Sequence, residues 1–325
     1  VLLRRMRGLR RFVFGLFFSL AKGKILGHEL AGMIEAVGKD VTRFKPGDQV
    51  FASAGSTGGA YAEYICLPED GMLALKPSNL SYAEAAAVPV GANTALHILR
   101  TGKIQPGQKV LVYGASGSVG SYAVQLAKHY GAQVTAVCSA ANLGWVRSLG
   151  ADHVIDYTAE DFTAGEERYD VVFDAVRKLP AARARRALAA NGTYLTVASP
   201  TSEKAEDLVT LKELIEAGQI EPVVDRRYPL ERIVDAHRYV ETGHKRGNVV
   251  VIVAREDPPA RSDALPEDQD RSQYAEKDME LKPVPYFPEP LEEPDPLAQH
   301  VKAYTQDHKQ GARDSQSVSK EPVRF

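Results

Sequence analysis

The sequence predicts an α/β protein: a doubly wound parallel sheet, joined to a smaller β-rich region and followed by a disordered tail. Strand and helix patterns alternate between residues 109 and 197, and such alternation produces a parallel sheet with helices on both faces. Residues 25–74 contain short apolar runs separated by glycine and proline, which is typical of β-structure. The last 72 residues contain ten of the nineteen prolines, and proline disrupts both helices and sheet ladders.

Composition excludes several classes of protein. The 325 residues include 40 basic and 42 acidic side chains, so the formal net charge is -2. This balance gives no reason to expect nucleic acid as the main partner. The two cysteines, Cys66 and Cys138, are too few for a disulfide scaffold or a four-cysteine zinc site. Reduced thiols in a cytoplasmic protein are the simplest interpretation.

The first 24 residues differ from the rest in charge and hydropathy. They contain seven basic residues and no acidic one, and residues 12–21 are mostly apolar. This arrangement resembles a secretory signal peptide. The apolar run is much shorter than the ~20 residues that cross a bilayer. We therefore expect no membrane segment and a cytoplasmic location.

The tail, residues 254–325, contains sixteen acidic and ten basic side chains and a single glycine. Its low apolar content cannot offset the entropy lost on ordering, so we expect it to be disordered. The alternative is a docking peptide. Tyr286 and Phe287 stand between prolines, which suits the aromatic groove of a partner of unknown identity.

In the β-rich region we expect strands at residues 31–37, 49–52 and 61–67, with a turn at residues 44–48. Gly58 and Gly59 supply a bend before the third strand. Ser81 and Glu84 have the spacing of a capping box, which predicts a helix through Ala87. A second helix is expected after Gly91.

The parallel sheet follows in the next part of the chain. We expect its strands at residues 109–113, 133–138, 153–157, 169–174 and 193–197, and its helices at residues 119–130, 143–149 and 181–190. After Pro200 we expect helices at residues 203–217 and 230–241, an extended pair at residues 223–224 and a final strand at residues 248–253.

The strongest chemical signal is a glycine-rich turn between the first strand of the sheet and its helix. It consists of Gly114, Ala115, Ser116, Gly117, Ser118, Val119 and Gly120. Gly114 and Gly117 allow the chain to turn and a pyrophosphate to approach the backbone, and Gly120 allows close helix–strand packing. A helix N-terminus presents unpaired N–H groups to phosphate. We therefore predict a dinucleotide site; tight packing without a ligand is the alternative.

The end of the second strand, residues 137–142, contains no acidic residue. An NAD site usually places Asp or Glu there, bonded to the ribose 2′-hydroxyl. Ser139, Asn142 and Tyr157 can instead donate hydrogen bonds to a 2′-phosphate, although the expected Arg or Lys is absent. NADP(H) is favoured and NAD(H) stays open. The interpretation of Ser139 as an ordinary loop residue also stays open.

Several motifs together resemble the medium-chain dehydrogenase/reductase superfamily, and most closely its zinc-independent quinone oxidoreductase-like branch. Besides the glycine turn, they are residues 25–32 (ILGHELAG), 44–48 (FKPGD), 59–64 (GAYAEY), 149–157 (LGADHVIDY) and 173–176 (FDAV). The resemblance implies a partial GroES-like catalytic domain, a Rossmann domain and a return to the catalytic domain, after which the composition predicts the tail. These are residues 1–90, 91–225, 226–253 and 254–325. It implies NADPH-dependent reduction of a quinone, enone or other small carbonyl substrate, and it allows a homodimer.

The resemblance also assigns residues near the nicotinamide. Thr94 corresponds to a threonine close to that ring, and a local role at the start of its helix is the alternative. Tyr61 is a weaker candidate for polarising the substrate oxygen, because strand tyrosines usually belong to the core. Asp174, Ala175 and Val176 end a strand on the cofactor side.

A metal is not expected. His28 corresponds to a zinc ligand of the alcohol dehydrogenase branch, but a catalytic zinc needs three protein ligands. The corresponding cysteine is missing near residues 90–91, and Cys66 and Cys138 are not at ligand positions. His28 is then either a polar residue near the cleft or a buried histidine with its hydrogen bonds satisfied.

Three departures from the family bear on catalysis. The opening strands of the catalytic domain are missing from this sequence, Arg177 stands where the family has glycine, and a further sheet strand is absent after Pro200. Two other functions therefore stay open. The chain could be a nucleotide-binding relative without activity, or an interaction protein that works through its tail.

Overall fold

A computed structural model describes residues 25–202 and 204–253, together with the backbone of residues 322–324. All of these residues belong to one compact unit. The predictions of a signal-like start, a disordered tail and a docking peptide therefore lie almost entirely outside the described residues. Within these ranges, no helix is long and apolar enough to cross a membrane.

The β-rich region contains short strands, mostly antiparallel. They are β1 (Glu29–Met33), β2 (Ala36–Val37), β3 (Gln49–Ser53), β4 (Cys66–Pro68) and β5 (Leu73–Leu75). Strands β1, β3 and β5 form one antiparallel sheet in the order β1-β3-β5. The predicted turn at residues 44–48 is confirmed, because Gly47 has a φ of 89° and the Lys45 N–H donates to Asp48 Oδ2 at 2.9 Å.

Two strand predictions in this region need correction. Residues 31–37 are divided between β1 and β2. The prediction of a strand from Tyr61 to Leu67 is wrong for residues 61–65, because regular strand begins only at Cys66. Gly58 and Gly59 have φ values of 68° and 112°, and this bend leads residues 60 and 61 back to residues 26 and 27. There the Tyr61 N–H donates to the Leu26 carbonyl at 2.8 Å without starting a ladder.

A short strand from the end of the chain joins this region. Strand β13 (Pro322–Arg324) lies between β2 and β4 and is antiparallel to both. Its middle residue, Val323, is opposite Val37 on one side and Leu67 on the other. These three residues differ from the expectation of a tail without regular structure.

The remaining elements follow the predicted order, although a six-residue strand replaces the extended pair at residues 223–224 and the last helix begins at Ile233 rather than Leu230. They are α1 (Tyr82–Ala85), α2 (Gly91–Thr101), β6 (Lys109–Tyr113), α3 (Ser118–His129), β7 (Gln133–Cys138), α4 (Leu143–Ser148), β8 (His153–Asp156), β9 (Tyr169–Asp174), α5 (Ala181–Ala187), β10 (Leu188–Thr196), α6 (Ala205–Glu216), β11 (Val224–Pro229), α7 (Ile233–Thr242) and β12 (Asn248–Ile252). The predicted capping box of α1 is confirmed, with the Ser81 side chain accepting from the Glu84 N–H. Helix α5 is shorter than predicted because β10 begins at Leu188.

The predicted doubly wound sheet is confirmed. Five parallel strands lie in the order β10-β9-β6-β7-β8. The chain order reverses between β6 and β9, and ligands of such sheets bind at the carboxyl ends of the strands beside this switch point. The strands form the core with α2 and α3, where Tyr122 is fully buried and donates a hydrogen bond to the Ala87 carbonyl.

The last described part of the chain returns to the glycine turn. Strands β11 and β12 pair in parallel, and α7 connects them. Just before β12, the Gly247 N–H donates to the Ser116 carbonyl at 3.0 Å, and Gly247 forms a bridge with Gly117. Residues 245–248 therefore lie directly beside the predicted cofactor site.

Candidate functional site

The glycine turn has the geometry of a phosphate-binding turn. Gly114 has a φ of 82°, and the N–H groups of Gly114 and Ala115 both donate to the Val137 carbonyl at 3.0 Å. Helix α3 begins at Ser118, with Gly117 as a cap that offers no side chain. The first N–H groups of a helix have no partner inside it, so Ser118, Val119 and Gly120 present donors toward a bound anion. The Ser121 N–H donates to the Gly117 carbonyl at 2.9 Å.

The three glycines have different neighbours. A Cβ atom at Gly120 would lie 2.2 Å from the Gly114 carbonyl oxygen, which confirms that Gly120 allows close packing of the helix on the turn. A Cβ atom at Gly114 would lie 2.5 Å from a methyl group of Val176. At Gly117 the nearest atom would be 3.5 Å away, an ordinary contact. Gly117 therefore faces space that a ligand can use, and the turn fits a dinucleotide.

The predicted ribose-binding residues lie together at the ends of β7 and β8. The Asn142 amide donates to Ser139 Oγ at 3.1 Å. Tyr157 follows β8, has an exposed side chain, and its N–H donates to the Cys138 carbonyl at 3.1 Å. The structure thus brings Ser139, Asn142 and Tyr157 to one edge of the sheet.

A cation that the sequence analysis missed lies at this edge. The Arg246 Nε donates to Asn142 Oδ1 at 2.9 Å, and its Nη2 donates to the Ala141 carbonyl at 3.0 Å. The Arg246 N–H donates to Asp225 Oδ2 at 3.1 Å. Within the described ranges its guanidinium forms no ion pair. The only signal in the sequence was the basic pair Lys245-Arg246 before Gly247, and Arg246 is 104 residues from Asn142 along the chain.

The proposed nicotinamide end is formed by the start of α2. Thr94 lies in the first turn of this helix, half-buried, and its N–H donates to the Val90 carbonyl. The start of α2 is packed against α3, because a Cβ atom at Gly91 would lie 2.3 Å from Ser118 Oγ. The Val90 N–H donates to a carboxylate oxygen of Glu29 at 2.7 Å. Gly91, one turn before Thr94 in α2, is therefore packed against the start of α3.

Tyr61 lies in an irregular segment rather than in the predicted strand. Its ring packs edge-on against His237, with 5.9 Å between the ring centroids, and against Gly27. Burial, and secondly the negative charge of Glu29, raise the pKa of the Tyr61 hydroxyl. The phenol is therefore protonated at neutral pH and available as a hydrogen-bond donor.

The end of β9 forms a tight turn over Gly114. The Asp174 carboxylate is 1% exposed, and it accepts the N–H groups of Val176 at 3.0 Å and Leu179 at 3.0 Å. The Ala175 N–H donates to the Tyr113 carbonyl at 3.0 Å. Asp174 thus holds the turn, and Val176 is the residue of this segment that covers Gly114.

His28 is exposed, so the alternative of a buried histidine is wrong. Its Nδ1 lies 2.7 Å from the Gly55 carbonyl oxygen. Among the described residues, no group of three His, Cys, Asp or Glu side chains could hold a metal ion. The side chains around His28 therefore do not fit a catalytic zinc.

Comparison with protein families matches three parts of the chain. The alcohol dehydrogenase GroES-like domain matches residues 10–77. Models described as zinc-binding dehydrogenase match residues 118–221 and 199–251. The zinc in that description has no ligand set in the described part of this chain, so no chemical step is derived through it.

Curated relatives and solved structures agree with these matches. The chain is 37% identical over 245 residues to the NADPH-dependent alkenal/one oxidoreductase of Arabidopsis thaliana, covering 69% of this chain and 63% of the relative. It is 33% identical to the chloroplast envelope quinone oxidoreductase homolog of the same plant, covering 69% and 78%. The quinone oxidoreductase structure from Coxiella burnetii superposes with a TM-score of 0.65 at 27% identity, covering 74% and 83%.

The chain spans less than two thirds of the length of the first of these relatives. The names of both plant relatives place them in chloroplasts, and the cytoplasmic location of this chain stays a prediction. The fold, the order of the motifs and the identities lead to one conclusion. The chain belongs to the medium-chain dehydrogenase/reductase superfamily, in its quinone and alkenal/one oxidoreductase-like branch.

Proposed function

We propose that the chain is an oxidoreductase that transfers hydride from NADPH to a quinone, enone or other small carbonyl compound without zinc. The observation that carries this proposal is the open glycine turn at the start of α3, with Arg246 held at the ribose end of the same site. Relatives named for NADPH-dependent alkenal/one and quinone reactions support the substrate class.

Arg246 is the reason to favour NADPH over NADH. A 2′-phosphate carries negative charge, and Arg246 supplies the cation that the end of β7 lacks. Two carboxylates belong to this region. Asp225 Oδ2 accepts the backbone N–H of Arg246 at 3.1 Å, and Asp156, at the end of β8, accepts hydrogen bonds from Thr158 N–H and Oγ1 at 3.0 and 2.8 Å. These bonds, that from Thr158 N–H first, lower the pKa of Asp156 and occupy the carboxylate locally. Among the ion pairs of the described residues, none joins the Arg246 guanidinium to either carboxylate.

The chain's own residues have three tasks in this proposal. Gly117 and the N–H groups at the start of α3 bind and orient the pyrophosphate. Thr94 contacts the nicotinamide end, and Tyr61 donates a hydrogen bond to the substrate oxygen, which stabilises the negative charge that develops there. NADPH, when bound, supplies the hydride. No metal is required to polarise the carbonyl.

The test is NADPH oxidation, followed at 340 nm, with a small enone and a benzoquinone as substrates. We expect turnover that persists after dialysis against EDTA and falls in Tyr61→Phe and Thr94→Val. Arg185→Ala, which removes an exposed arginine from α5, is the matched control and should leave the rate unchanged. Turnover that depends on added zinc would contradict the proposal.

A specific observation keeps one alternative open, a nucleotide-binding relative with little or no activity. The described sheet ends at β10, and the family strand expected beyond it has no counterpart among the described residues. Hydride transfer needs the two reacting atoms within ~3–3.5 Å, so any displacement of the cofactor by a shorter sheet would slow it. We therefore expect slow turnover; saturable NADPH binding without oxidation at 340 nm would favour the alternative. The homodimer and a partner for the tail stay predictions.

A further inference from the structure

Arg177 adopts a backbone conformation that side chains other than glycine rarely adopt. Its φ is 56°, and only one other non-glycine residue of the described chain, Lys103, has a positive φ. The left-handed region is unfavourable for an ordinary residue, because its Cβ comes too close to the following carbonyl oxygen. Strain of this kind clusters at functional sites, where the surrounding structure holds it in place.

The surrounding structure does hold Arg177 in place. The buried Asp174 carboxylate accepts the N–H groups of the residues on both sides, Val176 at 3.0 Å and Lys178 at 3.4 Å, through the same oxygen. Its other oxygen accepts the Leu179 N–H at 3.0 Å. Asp174 thereby fixes the turn, and it is engaged with backbone groups rather than with the guanidinium of Arg177.

Two cations directly follow the residue of this turn that contacts Gly114. Val176 covers Gly114: a Cβ atom added at Gly114 would lie 2.5 Å from a methyl group of Val176. The next Cα lies about 3.8 Å further along the chain. The side chains of Arg177 and Lys178 are exposed, and neither forms an ion pair within the part of the chain that the structure describes.

We propose that Arg177 is a binding residue for an anionic oxygen group at the mouth of the glycine turn. This group is either the pyrophosphate of the dinucleotide or a carboxylate carried by the carbonyl substrate. The inference rests on the proposed function and extends it. The opposite effect of a long side chain where the family has glycine is crowding of the cofactor, but the residue packed against Gly114 is Val176.

Three variants separate the charge of Arg177 from its backbone conformation. Arg177→Lys keeps the charge. Arg177→Asn removes the charge but tolerates the left-handed region, and Arg177→Gly removes both the charge and the strain. Arg185→Ala removes an exposed arginine of α5 and serves as the control for a general loss of positive charge.

Binding is measured with NADPH and with inorganic pyrophosphate, using the fluorescence of the single tryptophan, Trp145, in α4. If the cofactor pyrophosphate is the anion, Arg177→Asn and Arg177→Gly should weaken both ligands by about 5- to 10-fold, with Arg177→Lys close to the wild type. If the substrate carboxylate is the anion, both ligands should bind normally. The same variants should then lower kcat/KM for a carboxylated enone while leaving a neutral enone unaffected.

The inference is overturned if Arg177→Asn behaves like Arg185→Ala with both ligands and both enones. It is also overturned if Arg177→Gly tightens NADPH binding, which is the crowding result. Failure of the proposed function is distinguishable, since it would appear in the wild type as no NADPH binding and no turnover. Titration with pyrophosphate and with the carboxylated enone would still decide in that case: dependence of either affinity on Arg177 supports an anion site, and independence of both rejects it.

Discussion

A side chain added at Gly120 should lower stability, whereas one added at Gly117 should leave stability unchanged and, when branched, weaken cofactor binding. In Gly120→Ala the new Cβ would lie 2.2 Å from the Gly114 carbonyl oxygen and 2.8 Å from the Ala115 Cα. Both are backbone atoms that cannot rotate away, so we expect the loss of stability typical of overpacking, about 1–3 kcal/mol. At about 2–4 °C per kcal/mol, the melting temperature should fall by roughly 2–12 °C.

Gly117 has a φ of -85°, which alanine adopts without strain. The nearest atom to its new Cβ would be 3.5 Å away. Gly117→Ala should therefore leave the melting temperature unchanged or raise it, because alanine lowers the entropy of the unfolded chain. Gly117→Val places a branched side chain where we expect pyrophosphate, and should weaken NADPH steeply without unfolding the protein.

The assay is thermal unfolding, followed by NADPH titration of each folded variant. Two results would refute the reasoning. One is a Gly120→Ala protein as stable as the wild type, which would show that the close helix–turn contact is absent in solution. The other is a stable Gly117→Val protein that binds NADPH as well as the wild type does, which would place the cofactor elsewhere.

Three further predictions concern other parts of the structure. Arg246→Ala should weaken NADPH binding by about 10-fold or more and leave NADH binding almost unchanged, because only NADPH carries the charged 2′-phosphate; equal losses would count against the assignment. Ellman's reagent at pH 8 should react fast with one thiol, the exposed Cys66, and slowly with Cys138, since burial, and secondly Asp156, raise the Cys138 pKa to about 11; two fast thiols would contradict this. Hydrogen bonds from the Lys212 side chain, and secondly from the Ser78 N–H, lower the pKa of Glu216 to about 2. Acid unfolding of Glu216→Gln tests this.

The sign of the Glu216 effect follows from that depressed pKa. Its contribution is present above the unfolded pKa of about 4.3 and is lost as the pH falls toward 2. Glu216→Gln should therefore be less stable than the wild type at pH 6, and the difference should shrink to zero near pH 2. A difference independent of pH would show that the carboxylate charge contributes nothing.

The parallel sheet could be predicted closely from sequence. Strands β6, β7 and β9 begin and end at the expected residues. They are covered on both faces, so each is a nearly continuous apolar run. The capping box and the glycine turn are similarly local signals, in which a few neighbouring residues determine the geometry.

The features missed from sequence depend on distant parts of the chain. Tyr61 leaves the strand pattern because two preceding glycines turn its N–H toward Leu26, 35 residues earlier in the sequence. Arg246 reaches Asn142 only because β11, α7 and β12 fold back onto the glycine turn. The sequence shows a basic pair before a glycine, but no local rule links that pair to the end of β7.

The most direct test of the account is calorimetric titration of the wild-type chain with NADPH and with NADH under the same ionic conditions. The glycine turn and Arg246 together predict saturable binding of one NADPH per chain, with NADH at least about 10-fold weaker. Because the 2′-phosphate contact is charged, the preference should decrease as salt is added. Absence of binding by either nucleotide, or equal affinity for both, would contradict the assignment of this site.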